Sequence, residues 1–584
     1  MEFVMRKIIA EKLDRAKNLL FLVIVCLQML AITFSGFQIQ AQTSYKFDFG
    51  ISTNPPVMGY TKATPANKYT VTYDNDNTNG TFGFENWDST AFGAFSRGST
   101  NDNLNRDFIY AKPHGGGFSS FYFSVRVPEG KYTVTFYIGD PGDTSTTTIK
   151  AESRRLLVEN LHLAKGQLAT RTFTVIRREP AIAGGGSVSL DYSHGREDPS
   201  ICLDWDHKLT FEFSGARPCI GGLDIVPVDS GITFHLCGNS TIVEQEDEPW
   251  SCWGQFIHRF YNSGIIINDL GSSGLQSSSF KNQKRLAKIC SVMKPGDYLF
   301  FEFGHNEDAT DAGRATFKQN MQTYYDSATK RQATMVFVTP TARHADTDPA
   351  TSVGQFAQNT RDYAKALTGS KVVDLNAAVL DMKTALANPA YGSDNTAIYC
   401  HVPVSPQWPD QPAVDDGTHF CDFGGYELAK WVARTGMKAA GIDLQKYLLD
   451  TAAFDPNKPD LKSAWSFPYS LDTVFRHSTP GATVYKDTVS AVTGLLSGGN
   501  VPSFPHSISI NLVSSALAYS VSAAGNADIG IFSMNGKVVA RKLLTIEKTG
   551  SIAWKDLGNL PTGIYFIRMK VNGFEAGKNT FFKL

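Results

Sequence analysis

Leu236-Cys237-Gly238-Asn239-Ser240-Thr241-Ile242-Val243 is the stretch on which the fold of this chain turns. Just upstream, Ile232 to Leu236 is β-branched and aromatic and predicts a buried strand, and Gly238 lets the chain turn sharply towards a helix. Ser240 is thereby presented at the end of a strand rather than buried in it. Taken alone, the turn reads first as a plain strand-to-loop connection, because Gly, Asn, Ser and Thr are ordinary turn residues.

Three stretches downstream change its meaning. Ile265 to Leu270 runs into Gly271-Ser272-Ser273-Gly274, Asp297 to Phe303 into Gly304-His305-Asn306, and Asp416-Gly417-Thr418-His419 closes the same region. In an open α/β sheet the carboxyl ends of parallel strands meet along one edge, so these four turns can converge. Acyl transfer needs such a meeting point. A serine hydroxyl becomes a nucleophile when a base takes its proton; His419 suits that task, and Asp416 in the same turn can fix the imidazole tautomer. The Ser240 and Gly274 amides and the Asn306 side chain can serve as oxyanion donors.

In this order, Gly238-Asn239-Ser240, Gly274, Gly304-His305-Asn306 and Asp416-Thr418-His419 resemble the four blocks of the SGNH or GDSL hydrolases. Trp253-Gly254-Gln255, Lys294-Pro295-Gly296-Asp297-Tyr298 and Phe303-Gly304-His305-Asn306 narrow the resemblance to the rhamnogalacturonan acetylesterase-like branch, the family-twelve carbohydrate esterases. It covers roughly residues 230 to 440. The resemblance implies a flavodoxin-like three-layer α/β fold and deacetylation of plant polysaccharide, without a cofactor. Two positions depart from the pattern: Asn239 and Glu307 each stand where the family usually has Asp. Asn keeps an acceptor oxygen and nearly the same shape, so the turn is expected to survive the lost charge.

At 584 residues the chain is too long for one core. Its 55 basic and 56 acidic residues leave a net charge of -1, which gives no bias towards nucleic acid. Residues 1–42 predict an export signal: Arg6, Lys7, Lys12, Arg15 and Lys17 precede the apolar Leu19 to Phe34, and Ile39-Gln40-Ala41 offers a cleavage site. That run is short for a membrane span, and no stable span is expected after cleavage. Export permits disulfides; Cys202 with Cys219, Cys237 with Cys252 and Cys400 with Cys421 are the expected pairs, leaving Cys290 odd. No metal site is expected, since Cys-x-x-Cys and paired-His spacings are absent.

Residues 44–228 predict an all-β unit. Phe123, Val125 and Val127 alternate, Pro128-Glu129-Gly130 turns, and Tyr132, Val134, Phe136 and Ile138 alternate again, which predicts a hairpin. Tyr45 to Gly50 with Gly83-Phe84-Glu85 is similar to a galactose-binding-like jelly roll, implying either sugar binding or a packing role that completes the active-site rim. Residues 230–445 form the expected hydrolase, whose irregular insertion from Asn388 to Asp415 carries Tyr391, Tyr399, His401 and Trp408. That insertion is either a loop patch or a wall for sugar rings. The Asp-x-x-His spacing favours His419 over His401 as the base; His305 reads as structural and His344 as a loop residue. Residues 446–506 read as linker, and 507–584 as a small β-sandwich resembling the C-terminal sorting domain of type IX secretion substrates. A plain carbohydrate-binding module is the alternative for that last unit.

The expectation is therefore a multidomain, secreted or cell-surface serine esterase acting on acetylated plant polysaccharide and handled by secretion machinery through its C-terminus. Rhamnogalacturonan or pectin comes first as substrate and acetylated xylan second. A non-catalytic polysaccharide-binding surface protein is the alternative outside enzymology. A lipid or thioester hydrolase would call for a long apolar lid, and the sequence has none.

Overall fold

The computed structural model describes Met1, Met5, residues 43–69, 80–85, 92–98, 104–111, 119–192, Glu197, 202–245, 249–402, 414–465 and Ser470, and between 507 and 583 mainly the β-strands. The chain divides into two compact units, residues 1–44 and Tyr45–Leu584. The expected export signal lies outside the described residues, and no described helix is long and apolar enough to cross a membrane.

From Tyr45 to Pro227 the described elements are strands in two sheets around one apolar core. Four strands of the first sheet run Ala169–Arg177, Gly130–Ile138, Cys219–Pro227, Tyr45–Phe49; the second runs Phe82–Glu85, Ser119–Arg126, Lys208–Arg217, Ser145–Ala151, Arg155–Leu163. The expected hairpin does not form. Ser119–Arg126 pairs with Lys208–Arg217, and Gly130–Ile138 pairs with Ala169–Arg177, so Pro128-Glu129 carries the chain from one sheet to the other. Alternation reports which face of a strand is buried, and here both strands bury theirs in the same core from opposite sides.

The central region is a parallel sheet of five strands: β1 (Ile232–Gly238), β2 (Ile265–Asp269), β3 (Tyr298–Glu302), β4 (Thr334–Val338) and β5 (Lys371–Val373). Their order across the sheet is β2-β1-β3-β4-β5, a doubly wound arrangement whose switch point lies at β1. Successive side chains face opposite layers. Phe234, Leu236, Phe300, Val336 and Val338 pack with α4 (Leu375–Leu386) and α5 (Asp422–Trp431), whereas Cys237, Leu299, Phe301, Met335 and Phe337 pack with α1 (Arg285–Val292), α2 (Asp311–Thr329) and α3 (Phe356–Lys365). Each such aliphatic or aromatic burial contributes about 1.5–3 kcal/mol. Helix α2 starts where Thr310 Oγ1 accepts from Gly313 N at 3.1 Å, and it buries Phe317, Met321, Tyr324 and Ala328 at helical spacing.

Two expectations change after β5. The insertion contains an antiparallel pair, β6 (Tyr399–Val402) and β7 (Val414–Phe420), while Trp408 lies outside the described residues. Tyr399 is core rather than a sugar-facing ring: it stacks on Phe420 at 5.2 Å and its hydroxyl donates to the Ala342 carbonyl at 2.8 Å. The presumed linker is not loose in its first part. Leu448 and Phe454 are buried, and Trp465 lies 5.7 Å from both Phe423 and Tyr426, so apolar anchors spaced through a Pro- and Asp-rich stretch hold it to the hydrolase. Ser497 to Asn500 lies outside the described residues.

All seven described cysteines are free thiols, so the expected pairs Cys202–Cys219, Cys237–Cys252 and Cys400–Cys421 do not form. Cys400 Sγ instead donates to the Phe420 carbonyl at 2.9 Å and Cys421 Sγ to the Ala397 carbonyl at 3.4 Å. Proximity in sequence says nothing of where a side chain points, and a buried thiol behaves as a small apolar group.

In the C-terminal region Ser507–Asn511, Ala516–Ser520 and Thr549–Ala553 form one antiparallel sheet. Gly525–Ser533, Val538–Ile546, Gly563–Val571 and Phe574–Lys583 form another. The turns expected at Asn535-Gly536 and Pro561-Thr562 lie outside the described residues.

Candidate active site

Ser240 follows the end of β1 in a turn closed by Ile242 N and Val243 N, which both donate to the Asn239 carbonyl at 3.1 Å. The Asn239 side chain keeps the turn as expected: its Oδ1 accepts from Thr241 N at 3.2 Å and lies 3.0 Å from Thr241 Oγ1. Thr241 Oγ1 is also 3.0 Å from Glu302 Oε1, at the end of β3, and Trp253 Nε1 donates to Glu302 Oε2 at 2.6 Å. Burial pushes the Glu302 carboxyl up to about 8, so it is a neutral acid beneath the turn at pH 7. Gly238 is demanded by packing rather than by an unusual turn; a Cβ there would lie 2.3 Å from Ile242 Cγ2.

Asp416 and His419 lie within strand β7 rather than in a free turn. Cys400 pairs with Asp416 and Tyr399 with Phe420, so Gly417, Thr418 and His419 have no residues opposite them and bulge from the ladder. That bulge carries the imidazole to the serine. His419 Nε2 is 2.8 Å from Ser240 Oγ, and His419 Nδ1 is 2.6 Å from Asp416 Oδ2. Asp416 Oδ1 accepts from Thr418 N at 2.8 Å and from His419 N at 3.1 Å. Burial pulls the Asp416 carboxyl upward, but the hydrogen bonds from the His419 ring and the two amides outweigh it and hold it well below the usual carboxylate range.

Gly274 has φ +81°, a left-handed conformation natural to glycine, and nothing lies within 4 Å of where a Cβ would be. It lines the same cavity as Ser240. Asn306 Nδ2 donates to the Leu275 carbonyl at 3.2 Å, which orients the amide and leaves its second N–H. Glu307 Oε1 accepts from Ser277 N at 2.6 Å, so it braces the helix beginning at Ser277. His305 Nε2 donates to the Thr341 carbonyl at 2.8 Å, and burial pushes the ring down to about 3. His401 pairs with Asp415 at 2.5 Å and packs 5.6 Å from His344, away from the serine. Among the described residues no group of three or more His, Cys, Asp or Glu is arranged to hold a metal.

Ser240, Gly274, Asn306, Asp416 and His419 all line one cavity of about 480 Å³. The sequence did not point to its other wall. Arg178, Glu197, Asp204 and Trp205 come from the N-terminal β-region, and Gln245 and Trp250 from the segment after the serine. A tight turn at Glu152-Ser153-Arg154, with Glu152 and Arg154 at φ 50° and 64°, drives two arginines against this segment. Arg154 donates to the Trp250 carbonyl at 2.9 Å and to Asp422 Oδ1 at 2.8 Å. Arg155 clamps Glu244 through both carboxylate oxygens and reaches Asp204 at 3.2 Å. Gln245 in turn donates to the Ser240 carbonyl at 2.7 Å, linking the β-region to the serine turn. No local pattern betrays Arg178 or Trp205, whose partners are remote in sequence.

Comparison with known proteins adds the following. Residues 508–580 match the secretion system C-terminal sorting domain. The chain is 28% identical over 226 residues to the rhamnogalacturonan acetylesterase RhgT of Bacillus subtilis, covering 37% of this chain and 94% of that protein. A probable rhamnogalacturonan acetylesterase of the same organism, YesY, is 26% identical over 224 residues, covering 37% of this chain and 97% of that protein. Among solved structures, protein YxiM of Bacillus subtilis gives a TM-score of 0.33 at 19% identity, covering 68% of this chain and 99% of that one. Axe2, an acetylxylan esterase from Geobacillus stearothermophilus, gives 0.25 at 14%, covering 37% and 97%. The sorting domain indicates secretion or attachment at the cell surface.

Proposed function

We propose that this chain, whose central region belongs to the rhamnogalacturonan acetylesterase-like SGNH hydrolases and whose C-terminus is a type IX sorting domain, removes O-acetyl groups from plant cell-wall polysaccharide. The carrying observation is the unbroken line from Asp416 Oδ2 through His419 to Ser240 Oγ, at 2.6 and 2.8 Å, opening into a cavity. Ser240 attacks the acetyl carbonyl while His419 takes its proton; Asp416 holds the tautomer and favours the imidazolium. The Ser240 and Gly274 amides and the Asn306 side chain receive the oxyanion. His419 then protonates the departing sugar hydroxyl, and a water activated by the same ring releases acetate from the acyl-enzyme.

Rhamnogalacturonan or pectin is the first substrate, supported by the two bacterial relatives, and acetylated xylan the second. The N-terminal β-region is read as a galactose-binding-like jelly roll that completes the active-site rim, and the C-terminal sheets as a small β-sandwich. Acetate release from acetylated pectin and acetylated xylan, measured side by side, tests the proposal. Silence on both substrates would overturn it.

A further inference from the structure

The loop that follows β4 has neither helix nor strand over residues 339–348, yet side chains from several other elements fasten it. Asn376 donates to the Pro340 carbonyl at 2.9 Å, His305 to that of Thr341 at 2.8 Å and Tyr399 to that of Ala342 at 2.8 Å. Lys383, on α4, takes three more. Its Nζ donates to the carbonyls of Arg343 at 3.1 Å, His344 at 2.7 Å and Asp346 at 2.6 Å, and the residue is only 7% exposed. Asp346 N also donates to the Arg343 carbonyl at 3.0 Å, so these residues form one closed turn. All three N–H donors of the ammonium therefore go to carbonyls of a single turn rather than to a carboxylate. Burying a charge is costly, and what this one supplies is three donors radiating from one atom, which no neutral side chain offers.

The groups that this turn holds give the arrangement its meaning. The His344 amide donates to the Gly417 carbonyl at 2.7 Å, inside the bulge between Asp416 and His419. Gly417 also packs tightly on that residue, since a Cβ there would lie 3.1 Å from His344 Cβ. On its other side the turn sends Arg343 Nη2 to the His305 carbonyl at 2.9 Å, next to Asn306. One turn thus braces two of the stretches that line the cavity with Ser240, and Lys383 braces the turn. Lys383, Arg343 and His344 are themselves outside the cavity lining.

We propose that Lys383 is a positioning residue: by fixing the turn from Arg343 to Asp346 it sets where the Gly417 bulge sits, and so keeps His419 Nε2 within 2.8 Å of Ser240 Oγ. This rests on Ser240 and His419 being the acylating pair, and it extends the site to a buried lysine that touches neither of them.

The test uses the full chain carrying Lys383→Met, which fills the volume of the lysine stem and supplies no donor. With 4-nitrophenyl acetate as a plain acetyl ester, kcat should fall about 10- to 100-fold, the scale of a displacement approaching 1 Å, while KM stays within about twofold because the cavity lining is untouched. Lys383→Arg, which returns charge and donors, should recover at least half of the loss on a logarithmic scale. Crystal structures of parent and Met variant give a readout without turnover: the His419 Nε2 to Ser240 Oγ contact should be present in the parent and open beyond about 3.5 Å in the variant. A kcat within about threefold of the parent, a loss confined to KM, no recovery in Lys383→Arg, or an unchanged contact in the Met variant overturns the proposal. Should the Met variant not fold, Lys383→Gln, with two N–H donors in place of three, takes its place: an intermediate kcat supports the proposal and a parental one overturns it. A parent that hydrolyses no ester would refute the catalytic reading alone, and the contact distance would then decide for or against Lys383.

Discussion

Arg155 is the residue through which the N-terminal β-region grips the serine segment, and Arg155→Met should expose how much depends on that grip. The arginine is 1% exposed, and it holds both oxygens of Glu244, Asp204 at 3.2 Å and the Ile176 carbonyl at 3.3 Å. Methionine fills much of the volume and supplies none of these donors. Two buried carboxyl groups are left beside each other, with Arg178 3.5 Å from Asp204 and 3.8 Å from Glu244 and His258 4.0 Å from Glu244 as their remaining basic neighbours among the described residues. Breaking a buried ion pair from one side costs about 3–5 kcal/mol, because the surviving charge stays buried. Adding Glu244→Gln removes one of the two stranded carboxyls, so the double variant should recover at least half of that loss. Denaturant melts of the single and double variants measure both numbers, with acetate release followed in parallel. Arg155→Met within about 1 kcal/mol of the parent, or a double variant less stable than the single, would refute the idea that this pair fastens the β-region to the site.

Three further outcomes are expected. Asn306→Ala should lower kcat about 10²- to 10³-fold with the fold intact, the usual effect of removing one oxyanion donor; a loss under threefold by initial-rate kinetics removes Asn306 from the site. Glu302→Gln mimics the neutral acid beneath the serine turn. Because burial raises this carboxyl from 4.5 to about 8, the folded parent binds an extra proton across that window and loses stability as pH rises through it. Gln cannot ionise, so melts at pH 5.5 and pH 9 should show the variant gaining on the parent by a few kcal/mol at the higher pH, at about 1.4 kcal/mol per unit crossed; parallel pH profiles would contradict this. Finally, a chain ending at Asn500 should keep activity on soluble acetylated substrate while remaining within the producing cell envelope. Normal release combined with poor binding to insoluble polysaccharide would make the C-terminal region a binding module instead.

The proposed catalytic constellation was legible because acyl transfer restricts residue types at short spacings. Ser240 follows a strand and a glycine, Asp416 and His419 are three residues apart, and the structure brings all three together at the distances a proton relay needs. Parallel strands were legible for a similar reason, since runs such as Ile265 to Asp269 are buried on both faces. Pairing was not. Phe123 and Val134 share the alternation of a hairpin yet sit in facing sheets, because periodicity encodes burial and is silent on the partner strand. The site's second wall was hidden for a deeper reason. Arg178 and Trp205 reach the cavity only through the docking of one region on another, and no local pattern encodes that. Composition misled as well: the Pro- and Asp-rich start of the presumed linker carries Leu448, Phe454 and Trp465, and a few well-placed apolar side chains suffice to pin such a segment.

The most direct test of the central claim is acetate release from acetylated pectin by the purified chain and by its Ser240→Ala variant, under the same conditions. The parent should liberate acetate, and the variant should be slower by several orders of magnitude while its melting curve is unchanged. Acetate release that persists in Ser240→Ala would contradict the account by placing the nucleophile elsewhere.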